Sequence, residues 1–308
     1  MGERPGVIPP RPGLPPRPPV PKSTIIRRRA LGAALLAAVF ALVVWAAVTA
    51  TGGGEATPAT TAAPPPVVLK IVFPEGFSRR EMAARITAVR KIAQGTRGVT
   101  PKLTERAYLD ATAKLVAPPG FRADAKGHGS EGFLFPSTYE FLPETTAKQF
   151  VAGQLAFFRE NWAELDLRYA SKRNLTPYDV LIIASMVEKE TVAPDERPLV
   201  AAVIYNRLKA RMPLGIDATI RYGLNVPATE PLRVSQLESD NPYNTRRRTG
   251  LPPTPIANPG LASLQAAAHP AQVDYLYFVR KPDKVHHFFT ASEREFLQKA
   301  CEYGYGCD

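Results

Sequence analysis

Two acids at the end of an otherwise apolar helical pattern, Glu188 and Glu190, are the residues best placed to do chemistry. Burying acid beside hydrocarbon is costly, so this arrangement indicates a function. At about 100° per residue the two side chains diverge by about 200° around a helix axis, so they cannot form one pair. A single carboxyl in partly apolar surroundings would have a raised pKa and could act as a general acid. The alternative is a frayed helix end with two solvated acids.

The helix that would carry these acids has clear start signals. Thr176 is a plausible N-cap, Pro177 suits the first helical position and Asp179 favours the first turn. Apolar residues then fill nearly all of the next two turns, which predicts a helix buried inside a domain.

Six further segments surround this helix in a recognisable order, and they carry acids, amides, aromatic residues and Gly-Pro turns. They are Glu131–Pro136, Glu196–Leu208, Leu214–Gly223, Asn241–Thr245, Thr249–Gly260 and Ala266–Pro270. Together with the helix that ends near Glu188, they resemble the endolytic murein transglycosylases from about Val67 onward. The resemblance implies a membrane-anchored bacterial enzyme that cuts peptidoglycan strands internally, between N-acetylmuramic acid and N-acetylglucosamine. It would leave a 1,6-anhydromuramoyl end.

The resemblance assigns the catalytic role to Glu188, a choice that helical periodicity alone does not make. One carboxyl can protonate the bridging oxygen and then take a proton from the muramoyl C6 hydroxyl, which attacks its own anomeric carbon. No metal or cofactor is expected. Three positions depart from the family's pattern: Ser137 stands where Asp is frequent, Ala218 where Pro is common, and Arg246 where an aromatic residue is usual.

Candidate substrate contacts come mainly from the stretch between Arg211 and Pro259, which is rich in Gly, Pro, Asn and Thr. We expect a long loop there, and loops of this length are often functional. Solvated turns and core packing are the competing explanations. For Asn206, on an apolar helical stripe, hydrogen bonding to backbone is expected unless the stripe borders the cleft. The candidates are Asp217, Thr219, Tyr243, Asn244 and Thr245 in the loop, with Asn206 and Tyr139 outside it.

The N-terminal region differs in composition from the rest of the chain. The first thirty residues hold seven Lys or Arg against one acid, a net +6 of the total +11, and the remainder is only +5. This weak excess argues against a nucleic-acid module. Residues 31–51 carry no charge, follow three arginines and are long enough to span about 30 Å of hydrocarbon. The arginines predict that residues 1–30 lie in the cytoplasm and that the chain after Gly52 lies outside; a cleaved signal peptide is the alternative.

The mixture of helical and strand patterns predicts the α+β class, because it is not a repeating βαβ series. A strand, a turn and a capped helix after Val67 resemble the small glycan-binding subdomain of the family, which is LysM-like. The expected order is a Pro-rich basic cytoplasmic tail (1–30), a transmembrane helix (31–51), a linker (52–66), the LysM-like subdomain (67–120), the mixed α+β catalytic domain (121–300) and a C-terminal tail (301–308).

Other functions and partners follow from the same features. The main alternative is a non-catalytic, membrane-anchored peptidoglycan-binding scaffold of the cell-wall synthesis machinery, in which Glu188 is dispensable. No Ser-x-x-Lys or His-Glu-x-x-His motif supports a transpeptidase or metallopeptidase. The implied partners are peptidoglycan strands and penicillin-binding or other cell-wall synthesis proteins. Cys301 and Cys307 predict a small disulfide in an oxidising compartment, with two unpaired thiols as the alternative.

Overall fold

Helices surround two separate pairs of antiparallel strands in the part of the chain that the structure describes. The structure is a computed structural model, and it describes residues 65–125 and 127–306. The predicted α+β class is confirmed over these residues. In chain order the elements are β1 (Leu69–Val72), α1 (Arg79–Arg97), α2 (Glu105–Ala113), β2 (Thr138–Phe141), α3 (Ala147–Ala163), α4 (Arg168–Ser171), α5 (Pro177–Glu190), a 3₁₀ turn (Pro194–Glu196), α6 (Arg197–Lys209), α7 (Asp217–Leu224), α8 (Val234–Leu237), α9 (Leu261–Ala268), β3 (Tyr277–Arg280), β4 (His287–Thr290) and α10 (Glu293–Glu302).

Helix α5 is the centre of the larger hydrophobic cluster. It begins as the sequence predicts, since Thr176 and Asp179 form a reciprocal capping box around Pro177. Residues 180–187 are buried, and the helix packs against α6 and α9. Because α5 ends at Glu190, both acids lie in its last turn, where the buried face gives way to the surface.

A smaller cluster forms around β1, α1, α2, β2 and the start of α3. Strand β1 pairs with β2, Leu69 opposite Phe141 and Val72 opposite Thr138. Phe73, Tyr108 and Phe150 are among the buried side chains of this cluster. A lone strand leaves its backbone groups unpaired, and the partner of β1 comes from beyond residue 120. The small cluster thus draws on both sides of the expected boundary, and the division at 120 stays a prediction.

The C-terminal part contains helix α9, which begins after Gly260, the antiparallel strands β3 and β4, and α10, which Ser292 caps. The expected loop between residues 211 and 259 contains α7 and α8, because buried Ile220 anchors a helical turn within the polar stretch.

The sequence-predicted anchor at residues 31–51 lies outside the described residues, as do residues 1–30, most of the linker and Cys307. Over 65–125 and 127–306, none of the helices combines the length and the apolar character needed to cross a bilayer. The pairing of Cys301 with Cys307 stays a prediction.

A buried amide joins the small cluster to the larger one. Asn258 is fully buried, and its Oδ1 accepts from the backbone N–H groups of Gly132 and Leu134, both at 2.9 Å. Its Nδ2 donates to the carbonyl of Phe77, also at 2.9 Å. In the opposite sense, the N–H of Gly76 donates to the Asn258 carbonyl at 3.0 Å. The turn after β1 is therefore tied to the loop before α9.

Glu131 extends this connection to two helices. Its carboxylate accepts from the Arg79 backbone N–H at the start of α1, from the Asn258 Nδ2 and from the Tyr222 hydroxyl of α7, at 2.9, 2.8 and 3.0 Å. Burial raises the pKa of Glu131 to about 7, against the lowering effect of these donors. Because the Tyr222 hydroxyl can reverse its role and accept, a protonated Glu131 also satisfies this network.

We expect the free energy of unfolding to fall as pH rises from about 5 to about 8. Unfolded Glu131 releases its proton near its ordinary value of 4.5, whereas the folded protein holds it to about 7. Between these values the folded state binds more protons than the unfolded state, so the free energy of unfolding should decrease by about 3 kcal/mol over this range. Glu131→Gln mimics the protonated form and should reduce this decline, as measured by urea unfolding at both ends of the range. If the free energy of unfolding of Glu131→Gln declines with pH as much as that of the parental protein, Glu131 is not the source of the decline.

Candidate active site

Glu188 lies in a nearly closed setting at the end of α5. Its side chain is 6% exposed. The backbone N–H of Gly260, just before α9, donates to its Oε2 at 3.0 Å. Its Oε1 is 3.6 Å from Nη2 of Arg197, the first residue of α6. Glu188 therefore meets one N–H donor and one cation, each from a helix start packed against α5.

A second carboxyl, Glu75, reaches the same place from the turn after β1. Its Oε2 lies 4.0 Å from the same Arg197 Nη2. Gly76 allows the turn to adopt φ +76°, and Lys189 Nζ donates to the Gly76 carbonyl at 3.2 Å. A Cβ on Gly260 would overlap the Glu75 carboxyl group, so the glycine leaves room for it. Glu75 and Glu188 thus share one guanidinium.

The electrostatics of this group follow from its crowding. Burial raises the pKa of Glu75 above its usual range, the charge of Glu188 raises it further, and Arg197 opposes both. Sequence reasoning overlooked Glu75, Arg197 and Gly260. Two of them lie inside the segments that carried the resemblance, and Glu75 lies in a Pro-Glu-Gly turn, but no periodicity relates the turn to a helix more than a hundred residues later.

Glu190 faces a different region, a cleft of about 1300 Å³ whose lining includes Asp217, Arg246 and Arg280. The residues that line this cleft do not include Glu188. Burial raises the pKa of Glu190 to about 7, while Arg280, the Ala218 backbone N–H and Arg246 lower it. Two of the departures from the family's pattern, positions 218 and 246, therefore meet at Glu190. A proline at 218 could not donate this N–H.

Of the expected substrate contacts, Asp217 lines the cleft, with its carboxylate 2.6 Å from Arg246 Nε. Thr219 and Thr245 are buried and hydrogen-bonded to each other at 3.0 Å. Asn244 is fully buried, and its Nδ2 donates to the carbonyls of Leu237 and Ser239. The polar atoms of these three residues therefore hold the loop around α7 together.

The other three expected residues also make contacts within the protein. Tyr243 shares a hydrogen bond with Thr254 Oγ1 at 2.8 Å. Asn206 donates to two backbone carbonyls at 2.9 Å, as its position on an apolar stripe suggested. Tyr139, expected at the cleft, lies instead in the small cluster, where its hydroxyl donates to the Phe135 carbonyl. Alternation in an extended segment fits a core position equally well, so the pattern could not separate the two roles.

Comparison with known proteins agrees with the mixed fold and with the order of the segments. Residues 56–302 match the YceG-like family. The solved crystal structure of a YceG-like protein from Listeria monocytogenes is similar, with a TM-score of 0.62 and 29% identity over 75% of this chain and 76% of that chain. The chain belongs to the YceG-like family.

Two curated relatives carry the name endolytic murein transglycosylase. The protein from Bacillus subtilis (strain 168) is 34% identical over 216 residues, which cover 69% of this chain and 59% of that protein. The protein from Streptococcus pneumoniae is 28% identical over 251 residues, which cover 77% of this chain and 45% of that protein. This chain therefore spans about three fifths of the first relative and less than half of the second.

We expect Gly260→Ala to move the Glu75 carboxyl group away from Glu188. The new methyl group would overlap a carboxyl that is half exposed and free to swing into solvent. Gly260 has φ −77°, which alanine adopts readily, so the free energy of unfolding should change by less than about 1 kcal/mol. A crystal structure and urea unfolding check both points.

Gly153→Ala is the matched control, because nothing lies within 4 Å of its added methyl group. It should leave Glu75 where it is. A Gly260→Ala structure in which Glu75 keeps its parental position would show that the glycine does not control this carboxyl.

Proposed function

We propose that the protein is an endolytic lytic transglycosylase that cleaves the MurNAc–GlcNAc bond within peptidoglycan strands and leaves 1,6-anhydroMurNAc ends. The observation that carries the proposal is the enclosed Glu188 at the end of α5, at the position where the resemblance places the catalytic acid. Membership of the YceG-like family and relatives named endolytic murein transglycosylase support it. Such cuts would shape or terminate nascent strands.

The proposed chemistry needs a single acid that ends each turnover in its starting state. Protonated Glu188 donates its proton to the bridging oxygen as the bond from the anomeric carbon breaks. The carboxylate then accepts the proton of the C6 hydroxyl, whose oxygen attacks the same anomeric carbon. An attached nucleophile has a high effective concentration and needs no ordered water. Both protons are accounted for, and no metal or cofactor takes part in any step.

Glu190 is the rival for the acid role. It lines the large cleft, and its pKa of about 7 would suit a general acid at neutral pH. Glu188 is favoured because the resemblance assigns the acid role to its position and because a second carboxyl, Glu75, shares Arg197 with it. Glu190 instead lies on another side of the helix end, near Arg280, Asp217 and the Ala218 N–H.

Glu188→Gln should fold and bind glycan but lose most of its rate, about 10² to 10⁴-fold for general acid-base catalysis alone. Glu190→Gln, the matched control, should retain much more activity. The measurement is mass spectrometry of muropeptides released from purified sacculi by each full-length variant. If Glu188→Gln releases anhydromuropeptides at the parental rate and Glu190→Gln does not, the acid role belongs to Glu190.

The same assay separates the reaction classes. Anhydro ends from the parental protein support a transglycosylase, and reducing ends would instead indicate a hydrolase. If the protein binds sacculi but releases nothing, the scaffold alternative replaces the enzyme. In that case Glu188 is dispensable for binding.

The large cleft is proposed to hold part of the glycan strand, with Asp217 as the substrate contact at its surface. We propose that Tyr139, Asn206, Thr219, Tyr243, Asn244 and Thr245 support the shape of the site from within, since their polar groups are bonded inside the protein. The elements around β1 and α1 are proposed to form the LysM-like glycan-binding part. Penicillin-binding or other cell-wall synthesis proteins remain the proposed partners.

Residues 31–51 are proposed to form a single transmembrane anchor in the cell membrane, with the N-terminus in the cytoplasm and the catalytic part outside. The uncharged run and the arginines before it support this topology. Reporter fusions after Arg28 and after Pro66 should report opposite compartments. A mature protein that lacks residues 1–51 would overturn the anchor.

A further inference from the structure

The contacts of Glu188 present a chemical conflict for the proposed mechanism. The first step needs a protonated carboxyl. Both of its close polar neighbours, the Gly260 N–H at 3.0 Å and the Arg197 guanidinium at 3.6 Å, instead stabilise a carboxylate. Some further group must therefore favour the proton if Glu188 is to act as an acid.

Glu75 is placed to supply that effect. Its carboxyl and that of Glu188 face one Arg197 Nη2, at 4.0 and 3.6 Å. Arg197 is 12% exposed, and its Nε donates to Ser263 Oγ at 3.0 Å, which fixes the guanidinium. Lys189, the other cation near the turn, donates to the Gly76 carbonyl and lines the large cleft. One fixed cation thus faces two carboxyl groups.

We propose that Glu75 is a positioning residue: because its carboxyl and that of Glu188 crowd a single guanidinium, the pair retains one proton that Glu188 can deliver to the glycan. The inference rests on the proposed function of Glu188. Two carboxylates that crowd a single cation cannot both ionise readily, and such a pair titrates as a unit. Burial and the Glu188 charge also raise the pKa of Glu75, against the effect of Arg197.

The same pair suits the second half of the reaction. Once Glu188 has given its proton to the leaving oxygen, both carboxyl groups are negative beside a positively charged sugar ring. Glu75 then makes Glu188 a stronger base for the C6 hydroxyl proton as the bond from C6 oxygen to the anomeric carbon forms. The proton returns to the pair, and no external acid or oxidant is consumed.

The fold explains why this charge comes from so distant a segment. The turn that carries Glu75 is held by the Asn258 backbone and side chain and by Lys189. Gly260 has no side chain where the Glu75 carboxyl group lies, and its N–H donates to Glu188. The elements around β1 therefore contribute part of the catalytic group in addition to any role in glycan binding.

The test compares pH profiles of anhydromuropeptide release by full-length parental protein, Glu75→Gln and Glu75→Asp. In Glu75→Gln the charge at position 75 is absent, and Arg197 faces the carboxyl group of Glu188 alone. The alkaline limb of the Glu75→Gln profile should then move down by about 1 pH unit, with a loss of about tenfold in rate at neutral pH. Glu75→Asp keeps the charge and should keep the position of the limb, even at a lower rate.

Gly260→Ala provides an independent variant, because it displaces Glu75 without removing it. Its alkaline limb should move in the same direction as that of Glu75→Gln. An unmoved limb in both variants would overturn the proposal, as would a shift of equal size in Glu75→Asp. If Glu75→Gln does not fold, as judged by circular dichroism, Gly260→Ala decides alone. Absence of anhydro ends from the parental protein would overturn the function itself, which separates the two failures.

Discussion

The hydrogen bonds of one buried amide, Asn258, hold the described part of this protein in its working arrangement. Its oxygen accepts from the backbone around Gly132, and its nitrogen donates to Phe77 and to Glu131. A buried amide left without partners would cost about 1–3 kcal/mol. The loop before α9, the turn after β1 and the start of α1 must therefore meet in one register. Any other docking of the small cluster on the large one would leave several of these groups unpaired.

This register matters for the proposed chemistry because the groups around Glu188 come from distant segments. Glu188 comes from the end of α5, Arg197 from the start of α6, the Gly260 N–H from the start of α9 and Glu75 from the turn after β1. Each arrives at a helix or strand end, where backbone and side-chain polar groups lack partners in the element itself. The packing of α5 against α6 and α9 brings three of them together, and the Asn258 contacts add the fourth.

Local signals allowed the sequence to predict what local interactions decide. The N-cap at Thr176 and the strand, turn and capped helix after Val67 are confirmed. The separation of Glu188 and Glu190 onto different faces also agrees with their different surroundings. Contacts between distant segments were not predictable, because no periodic pattern in the sequence indicates which strand pairs with β1 or that Glu75 lies near Glu188. Polar residues such as Asn244 and Thr245 were expected to contact substrate because composition does not reveal whether a side chain bonds to sugar or to its own backbone.

The most direct test of the account is a crystal structure of Glu188→Gln with a bound peptidoglycan fragment. The substitution preserves the shape of the side chain and prevents turnover. The account predicts a MurNAc–GlcNAc bridging oxygen at about 3 Å from the side-chain amide introduced at position 188, with Glu75 and Arg197 beside the same sugar. A fragment whose glycosidic bond instead lies next to Glu190, among Asp217, Arg246 and Arg280, would contradict it.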